Sequence, residues 1–329
     1  MAKGTFTWNV MDLENLSARE TYGKVLVQFG QQNKDIVVLT SDLMLSNRTV
    51  EFARALPERF FNFGIAEANM MAAAAGFAIS GKIPFVSTFA CFASMRCCEQ
   101  VRTDIAYPNL PVRIVATHAG VSHGAAGTTH HATEDLAIMR SLANMTVIAP
   151  ADATETAEAV RASIYYPGPV YIRIGRGREP LVYQPGYEYE IGKAITLHQG
   201  NDATIFACGI AVSAAKNAAE KLEAEGISLR VIDLHTLKPI DKEAIINAAV
   251  ETGAIVTAEE HTIIGGLGGA VAEVLADAGI GVCFKRIGLP DVYSVIGSPK
   301  ELLSRYGLDA DGIIGGVREV LEKKSRKAK

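Results

Sequence analysis

Short apolar runs rich in β-branched residues alternate along the chain with longer segments whose apolar positions recur at helical spacing. In the first half, the strand-like runs are 35–40, 84–90, 112–120, 145–151 and 169–175. The helix-like segments before and between them are 17–32, 66–80, 94–107 and 154–166. Strands that alternate with helices predict a parallel sheet covered on both faces.

The alternation is interrupted at 179–202, a polar stretch that contains glycine and proline. It resumes with strand-like runs at 202–209, 229–235, 253–261 and 281–290, each followed by a helical pattern. We therefore predict an α/β protein with two doubly wound domains, at 1–185 and 186–329, of which the second is the smaller.

The composition places this fold among ordinary globular proteins. A chain of 329 residues, 49% of them hydrophobic, is sufficient for two cores. The net charge of −4 comes from interspersed charges of both signs, so neither nucleic acid nor a membrane is expected as a partner. The cysteines form no C-x-x-C pair, the N-terminus lacks the apolar core of a signal peptide, and no apolar run is long enough to span a bilayer. These features predict a cytoplasmic protein.

One carboxylate, Glu67, stands in the apolar stretch FFNFGIAEANM at 60–70. The sequence MAAAAGFAI follows it, so a helix buried on most sides is expected to begin here. Burial of an unpaired carboxylate is costly, which makes a functional role possible. Alternatively, Glu67 lies in the first helical turn, where its charge complements the helix dipole. The local sequence leaves both interpretations open.

Polar side chains gather where the predicted strands of the first domain end. Ligands of open α/β sheets bind outside the carboxyl ends of the strands. A loop rich in histidine and glycine suits proton chemistry, and arginines suit the capture of a phosphate or carboxylate. Hydrogen-bonded loop histidines and solvated ion pairs remain alternatives at this stage. The candidates are Asp42, Ser46, His118, His123, His130, His131, Arg173 and Arg176.

Several common kinds of binding site are excluded because their sequence motifs are absent. No G-x-x-x-x-G-K-[ST] sequence occurs, which excludes a P-loop. The glycines at 263–271 lack the dinucleotide spacing and are better explained by a helix that packs closely on a sheet. No H-E-x-x-H motif and no zinc-site spacing is present, so no metal ligand is predicted in this chain.

The motifs, taken together and in order, resemble those of the transketolase family of thiamine-diphosphate enzymes. FGIAEANM is similar to the segment with the family's catalytic glutamate, and FVSTFACF to its aromatic cofactor-facing strand. ATHAGVSHGAAGTTHH resembles the histidine-containing substrate loop, and IRIGRG the phosphate-binding turn. LSARE and SDLMLSNRT match earlier segments. The resemblance implies a pyrimidine-binding domain followed by a transketolase C-terminal domain.

The family's remaining domain is recognised by a G-D-G motif that binds the diphosphate and the metal. The nearest match here, DADG at 309–312, lies too close to the C-terminus for the rest of that motif. The resemblance therefore implies the C-terminal subunit of a split transketolase. Its N-terminal partner subunit would carry the G-D-G motif and provide most of the contacts to Mg²⁺ (or Ca²⁺ or Mn²⁺). A site shared between the two subunits implies an α2β2 heterotetramer.

The resemblance also assigns roles to single residues. Glu67, in an apolar pocket formed by the alanines after it, would share a proton with the pyrimidine N1′ of thiamine diphosphate. Phe89 and Phe92 would flank that ring. The residues expected to bind substrate are Arg19, Ser46, His118 and Arg176 on a sugar phosphate, His130 on the reacting hydroxyl or carbonyl, and Asp42 on the acceptor channel.

Two positions depart from the family pattern. Ala126 stands where an acidic residue contacts the ketose, and Met95 where an aromatic residue lies near the cofactor. We therefore expect transfer of a ketol unit from a ketose phosphate, or from a modified or branched ketose, to an aldose. The alternatives are the β subunit of a 2-oxo acid dehydrogenase, a deoxyxylulose-phosphate-synthase-like enzyme, and a degenerate subunit that only stabilises a partner.

Overall fold

The computed structural model describes residues 6–327, so the first five and the last two residues of the predicted domains lie outside the described part. Helices and strands alternate through the first half of the chain. They are α1 (Ala18–Gln32), β1 (Ile36–Thr40), α2 (Val50–Ala55), β2 (Phe60–Asn62), α3 (Glu67–Ile79), β3 (Ile83–Phe89), α4 (Cys98–Gln100), β4 (Arg113–Thr117), α5 (Asp135–Ser141), β5 (Thr146–Ile148), α6 (Ala153–Ser163) and β6 (Val170–Arg173).

The second half repeats the alternation after a stretch without a helix. Its elements are β7 (Ile195–His198), β8 (Ala203–Ala207), α7 (Ala211–Glu223), β9 (Leu229–Asp233), β10 (Thr236–Lys238), α8 (Lys242–Thr252), β11 (Ala254–Thr262), α9 (Leu267–Asp277), β12 (Cys283–Leu289), α10 (Pro299–Arg305) and α11 (Ala310–Lys327). Among the helices of residues 6–327, none combines the length and apolar character needed to cross a membrane.

The strands form two sheets, which confirms the predicted α/β class with a mostly parallel first sheet. The larger sheet has the order β10-β5-β6-β4-β3-β1-β2 and is parallel except for β10, which runs antiparallel to β5. The smaller sheet has the order β12-β11-β8-β9-β7 and is parallel except for β7. Parallel strands place their carboxyl ends at one edge, so the loops after β1, β3, β4 and β6 gather there.

Burial on both faces explains why the central strands read as continuous apolar runs. Every residue of β1 is buried. Ile36 and Val38 belong to the cluster on the α1 side, and Val37 and Leu39 belong to the cluster on the α3 side. Successive side chains of a strand point to opposite faces, so a sheet covered by helices on both sides requires apolar residues at every position.

Three short strands were not predicted. β2 has three residues, β10 has three, and β7 lies inside the polar stretch at 179–202. Runs this short carry too little periodicity to be recognised, and their pairing is determined by distant strands. β10 is the most informative of them, because it comes from the second half of the chain and completes the sheet of the first.

The predicted helix at 94–107 is confirmed as helical but is irregular. A π-helical turn at 92–96 precedes α4, and a second π-helical stretch at 101–106 follows it. Such wide turns are rare in proteins and frequently occur at functional sites. Here the first of them follows directly after β3, at the edge of the sheet where the candidate residues lie.

Candidate active site

Glu67 is the first residue of α3, and its side chain is only 3% exposed. The expected burial and the expected place in the first helical turn are both found, and a functional role for Glu67 stays a prediction. The expectation of a purely apolar pocket is wrong. Arg96 Nη1 donates to both carboxylate oxygens at 3.0 Å, so the buried acid has a cationic partner.

An aromatic pair lies beside this acid. Phe89 ends β3 and is buried, and Phe92 stacks on it with ring centroids 5.6 Å apart and planes inclined by 23°. The Arg96 guanidinium lies 4.2 Å from the centroid of the Phe92 ring. Because Arg96 contacts both Glu67 and Phe92, the acid and the aromatic pair border the same space.

Three histidine rings also lie near Phe89. The rings of His118, His123 and His130 lie 4.0, 6.0 and 6.1 Å from it. His118 and His123 are 5.1 Å apart, and His123 and His130 are 5.8 Å apart. His123 was not assigned a role by the resemblance, although it lies in the same glycine-rich loop. The structure therefore places His123 next to the predicted residues His118 and His130.

His118 is held as a neutral imidazole. It follows β4 in a left-handed backbone conformation, with φ of 60°. Thr117 Oγ1 lies 2.9 Å from its Nδ1 and 2.7 Å from Asn47 Oδ1, and these contacts orient the ring. Burial, followed by the nearby Arg19, His123, Arg176 and His130, lowers the pKa of His118 to about 2. At physiological pH it therefore acts as a hydrogen-bonding group without charge.

Arginines from separate segments meet next to these histidines. Arg19 Nε donates to the Arg176 carbonyl at 2.9 Å, and Arg19 Nη1 donates to the Ser46 carbonyl at 2.7 Å. Burial and then the charges of Arg48 and Arg176 lower the pKa of Arg19. Like charges that are held together in this way favour an oxyanion between them.

The loop at 120–131, called the His loop below, is joined to the arginine cluster of Arg19 and Arg176 by a backbone hydrogen bond. The Arg176 N–H donates to Ser122 Oγ at 3.1 Å, and Ser122 belongs to the loop that carries His123 and His130. The structure thus brings together the predicted residues Arg19, Ser46, His118, His130 and Arg176, with Phe89 and Phe92 beside them.

Asp42 lies at the edge of this group. It follows β1 with φ of 59° and is exposed, and its backbone N–H donates to Asn62 Oδ1 at 2.9 Å. Within residues 6–327 its hydrogen bonds are made to Asn62, not to the histidines or to Arg19. Its expected place on the acceptor channel remains a prediction.

Arg173 is not available to bind a substrate anion, which corrects one candidate of the sequence. Its side chain is buried, and its Nε lies 3.0 Å from Asp135 Oδ2. Its Nη2 donates to the carbonyls of Ala132 and Glu260 at 3.2 and 2.7 Å. Arg173 therefore connects the sheet edge to the second domain. Its ion pair with Asp135 is buried, whereas the sequence suggested a solvated ion pair.

His131 is also structural. Its ring is buried, and Nε2 lies 3.3 Å from the Gly124 carbonyl within the same loop. Burial lowers its pKa. The alternative of a hydrogen-bonded loop histidine therefore describes His131.

The second domain holds the His loop in place, which the sequence did not reveal. Glu260 Oε1 of β11 accepts from the Val121 N–H at 2.9 Å, and Thr128 Oγ1 donates to the Ser294 carbonyl at 3.2 Å. Burial raises the pKa of Glu260 to about 8, against the opposing effect of Arg173. A Cβ on Gly124 would lie 2.2 Å from the Gly297 carbonyl, so the loop packs against the second domain with no spare room.

Within the described range 6–327, no group of three or more His, Cys, Asp or Glu side chains is arranged to hold a metal ion.

Comparison with known proteins identifies both halves of the chain. Residues 14–180 match the model of the transketolase pyrimidine-binding domain. Residues 192–313 match the model of the transketolase C-terminal domain. The two matches follow one another and cover most of the chain.

Two relatives of similar length are named as transketolase subunits. The chain is 41% identical over 309 residues to an apulose-4-phosphate transketolase subunit of Phocaeicola vulgatus, covering 94% of this chain and 98% of the relative. It is 40% identical over 313 residues to a 6-deoxy-6-sulfo-D-fructose transketolase subunit of a Clostridium species, covering 95% and 97%.

A solved structure agrees with these relatives. The chain superposes with a TM-score of 0.85 on a split-gene transketolase described as an inactive β4 tetramer, at 49% identity, covering 93% of this chain and 98% of that one. The family models, the relatives and this structure agree, and the chain therefore belongs to the transketolase family, with the pyrimidine-binding and C-terminal domains of a split transketolase.

Proposed function

We propose that this chain is the C-terminal subunit of a thiamine-diphosphate-dependent transketolase, which transfers a two-carbon ketol unit from a ketose phosphate or a related modified ketose to an aldose. The observation that carries the proposal is the buried acid Glu67 beside the stacked pair Phe89 and Phe92, with the histidine and arginine cluster next to them. One edge of the sheet thus offers a proton-holding group, aromatic faces and an anion-binding cluster.

The residues present fit the pyrimidine end of thiamine diphosphate. Phe89 and Phe92 offer apolar ring faces, and Glu67 offers a carboxyl group that is shielded from water. When bound, thiamine diphosphate supplies a carbon nucleophile and accepts the electron pair of the broken carbon–carbon bond. Glu67 would hold a proton at the pyrimidine N1′, which increases the basicity of the group that deprotonates the cofactor.

The histidine and arginine cluster suits the substrate. His118 and His130 border Phe89, and imidazoles at this place can exchange hydrogen bonds with sugar hydroxyls. Arg19 and Arg176 supply the positive charge for a terminal oxyanion. His130 is the nearer of the two histidines to Phe92, at 5.5 Å, which supports its proposed role at the reacting carbonyl or hydroxyl.

The partner would be an N-terminal transketolase subunit that carries the G-D-G motif and binds the diphosphate and Mg²⁺. The name of the 49%-identical structure, a split-gene β4 tetramer, supports an assembly of several subunits, and we propose an α2β2 enzyme. The names of the two relatives, which refer to apulose 4-phosphate and a sulfo-fructose, support an unusual ketose as donor. A cytoplasmic location is part of the same proposal.

Removal of the Arg176 guanidinium tests the substrate site. In the assembled enzyme, Arg176→Met is expected to lower kcat/KM for a phosphorylated ketose by about 10- to 150-fold, because a hydrogen bond between a charged donor and an oxyanion contributes about 1.5–3 kcal/mol. The effect should appear mainly in KM, measured by steady-state kinetics.

Arg178→Met is the matched control for this experiment, because Arg178 is an exposed arginine two residues further on. The control should leave KM unchanged. An equal effect of both substitutions, or none of either, would contradict the assignment of Arg176 to the anion site.

Ala126 tests which ketose is preferred. Ala126 lies half-buried in the short 3₁₀ turn between His123 and His130, so an aspartate there can reach the site without entering a core. We expect Ala126→Asp to raise kcat/KM for xylulose 5-phosphate by about 5- to 150-fold, the equivalent of one regained hydrogen bond of about 1–3 kcal/mol. Unchanged or reduced kcat/KM would show that the missing acid does not determine the donor.

A further inference from the structure

Arg96 covers both of the groups that this chain would offer to a pyrimidine ring. Its Nη1 donates to Glu67 Oε1 and Oε2 at 3.0 Å each. Its guanidinium carbon lies 4.2 Å from the centroid of the Phe92 ring. The Arg96 side chain therefore contacts the Glu67 carboxylate and the Phe92 ring at the same time.

The two partners of this ion pair are unequally buried. The Glu67 side chain is 3% exposed, and the Arg96 side chain is 50% exposed. Glu67 is fixed at the start of α3, whereas Arg96 reaches inward from the π-helical turn at 92–96. Arg96 is the partner that can move into water at little cost in free energy, because a half-exposed guanidinium is already largely hydrated.

The carboxylate depends on this arginine. Within the described residues, Arg96 is the one side chain that donates a hydrogen bond to Glu67. A buried carboxylate without a partner is strongly disfavoured, so another partner must replace Arg96 when it leaves. A ring nitrogen that shares a proton with Glu67 is such a partner.

We propose that Arg96 is a placeholder for the cofactor ring: it neutralises Glu67 and lies on Phe92 until the pyrimidine binds, and the ring then displaces it into solvent. This inference rests on the proposed function. Withdrawal of Arg96 would leave both carboxylate oxygens of Glu67 free to form a hydrogen bond with N1′. Arg96 is therefore a positioning residue, which acts on the cofactor through Glu67.

A placeholder lowers the affinity for the ligand that displaces it. The apparent dissociation constant equals the intrinsic one divided by the fraction of molecules in which Arg96 is withdrawn. In the assembled enzyme with Mg²⁺, Arg96→Met should therefore bind thiamine diphosphate about three- to tenfold more tightly than the wild type, as measured by isothermal titration calorimetry. Methionine keeps an apolar contact with Phe92 but cannot pair with Glu67.

Arg102→Met is the matched control, because Arg102 is an exposed arginine in the following π-helical stretch. It should not change the dissociation constant. Equal or weaker binding by Arg96→Met would overturn the inference and show that Arg96 contacts the cofactor or only stabilises the fold. Failure of the wild-type complex to bind thiamine diphosphate would instead refute the proposed function.

Thermal unfolding of the free chain tests the ion pair independently of the cofactor. Arg96→Met should lower Tm at pH 8, because it leaves the buried carboxylate of Glu67 without its partner. In a Glu67→Gln background, the same substitution should have almost no effect, because no charge remains to be neutralised. Equal loss of Tm in both backgrounds would show that Arg96 does not act through Glu67.

Discussion

Glu67→Gln should lower kcat of the assembled enzyme by about 100-fold or more, which is the range for the removal of general acid–base help. Glutamine has the same shape and fills the same site at the start of α3, but it cannot hold and return a proton at the pyrimidine N1′. Because the change concerns a proton and not the binding of sugar, KM for the ketose should change much less than kcat. Steady-state kinetics of ketol transfer with the wild-type and variant complexes measure both quantities.

The control for this experiment is Glu99→Gln, which removes an exposed carboxylate from the helical region that also carries Arg96. It should keep full activity. The thermal unfolding of Glu67→Gln should remain close to that of the wild type, because Arg96 loses a partner but is half-exposed and stays hydrated. Near-normal kcat in Glu67→Gln would mean that the glutamate only stabilises the start of α3.

The isolated chain should show no ketol transfer and little affinity for thiamine diphosphate. In the proposed enzyme its residues would contact only the ring of the cofactor, and the sequence has no G-D-G motif of the kind with which the family binds the diphosphate. A small aromatic ring alone contributes too few contacts to offset the loss of translational and rotational freedom on binding. Calorimetric titration of the purified chain with thiamine diphosphate and Mg²⁺, followed by a donor screen, measures both quantities.

The same titration of the chain together with its N-terminal subunit is the positive control. Binding and turnover should appear only in the mixture, and they should saturate at equal numbers of the two subunits. Substantial turnover by the chain alone would refute the division of the site between two polypeptides. Absence of turnover in the mixture, with every ketose tested, would favour a degenerate stabilising subunit.

The parts of the fold that could be predicted are those with a strong local pattern. β1 (IVVLT) and β4 (RIVAT) are short runs rich in apolar β-branched residues, and the structure buries every residue of both. The start of α1 could also be read locally, since Ser17 and Glu20 form a reciprocal cap. β10 could not be predicted in this way, because a strand of only three residues has no local pattern and forms through its pairing with β5.

The candidate site was predictable in its residue types but not in its pairings. The pair of Arg96 and Glu67 spans 29 residues, and the contact of Glu260 with Val121 spans 139. No local pattern encodes contacts at such separation, because the wide turn after β3 and the docking of the second domain create them. Arg173 and Arg176 look alike in sequence, yet the first points into the sheet edge toward Asp135 and only the second is exposed.

In the proposed enzyme, one cofactor lies between two polypeptides, with its ring held by Glu67 of this chain. A crystal structure of the assembled enzyme with thiamine diphosphate and Mg²⁺ tests it most directly. We predict a Glu67 carboxyl oxygen at hydrogen-bond distance, about 2.6–3.2 Å, from the pyrimidine N1′, with the diphosphate and metal bound by the N-terminal subunit. A complex in which both ends of the cofactor are bound by one polypeptide, or in which Glu67 points away from the ring, would contradict the account.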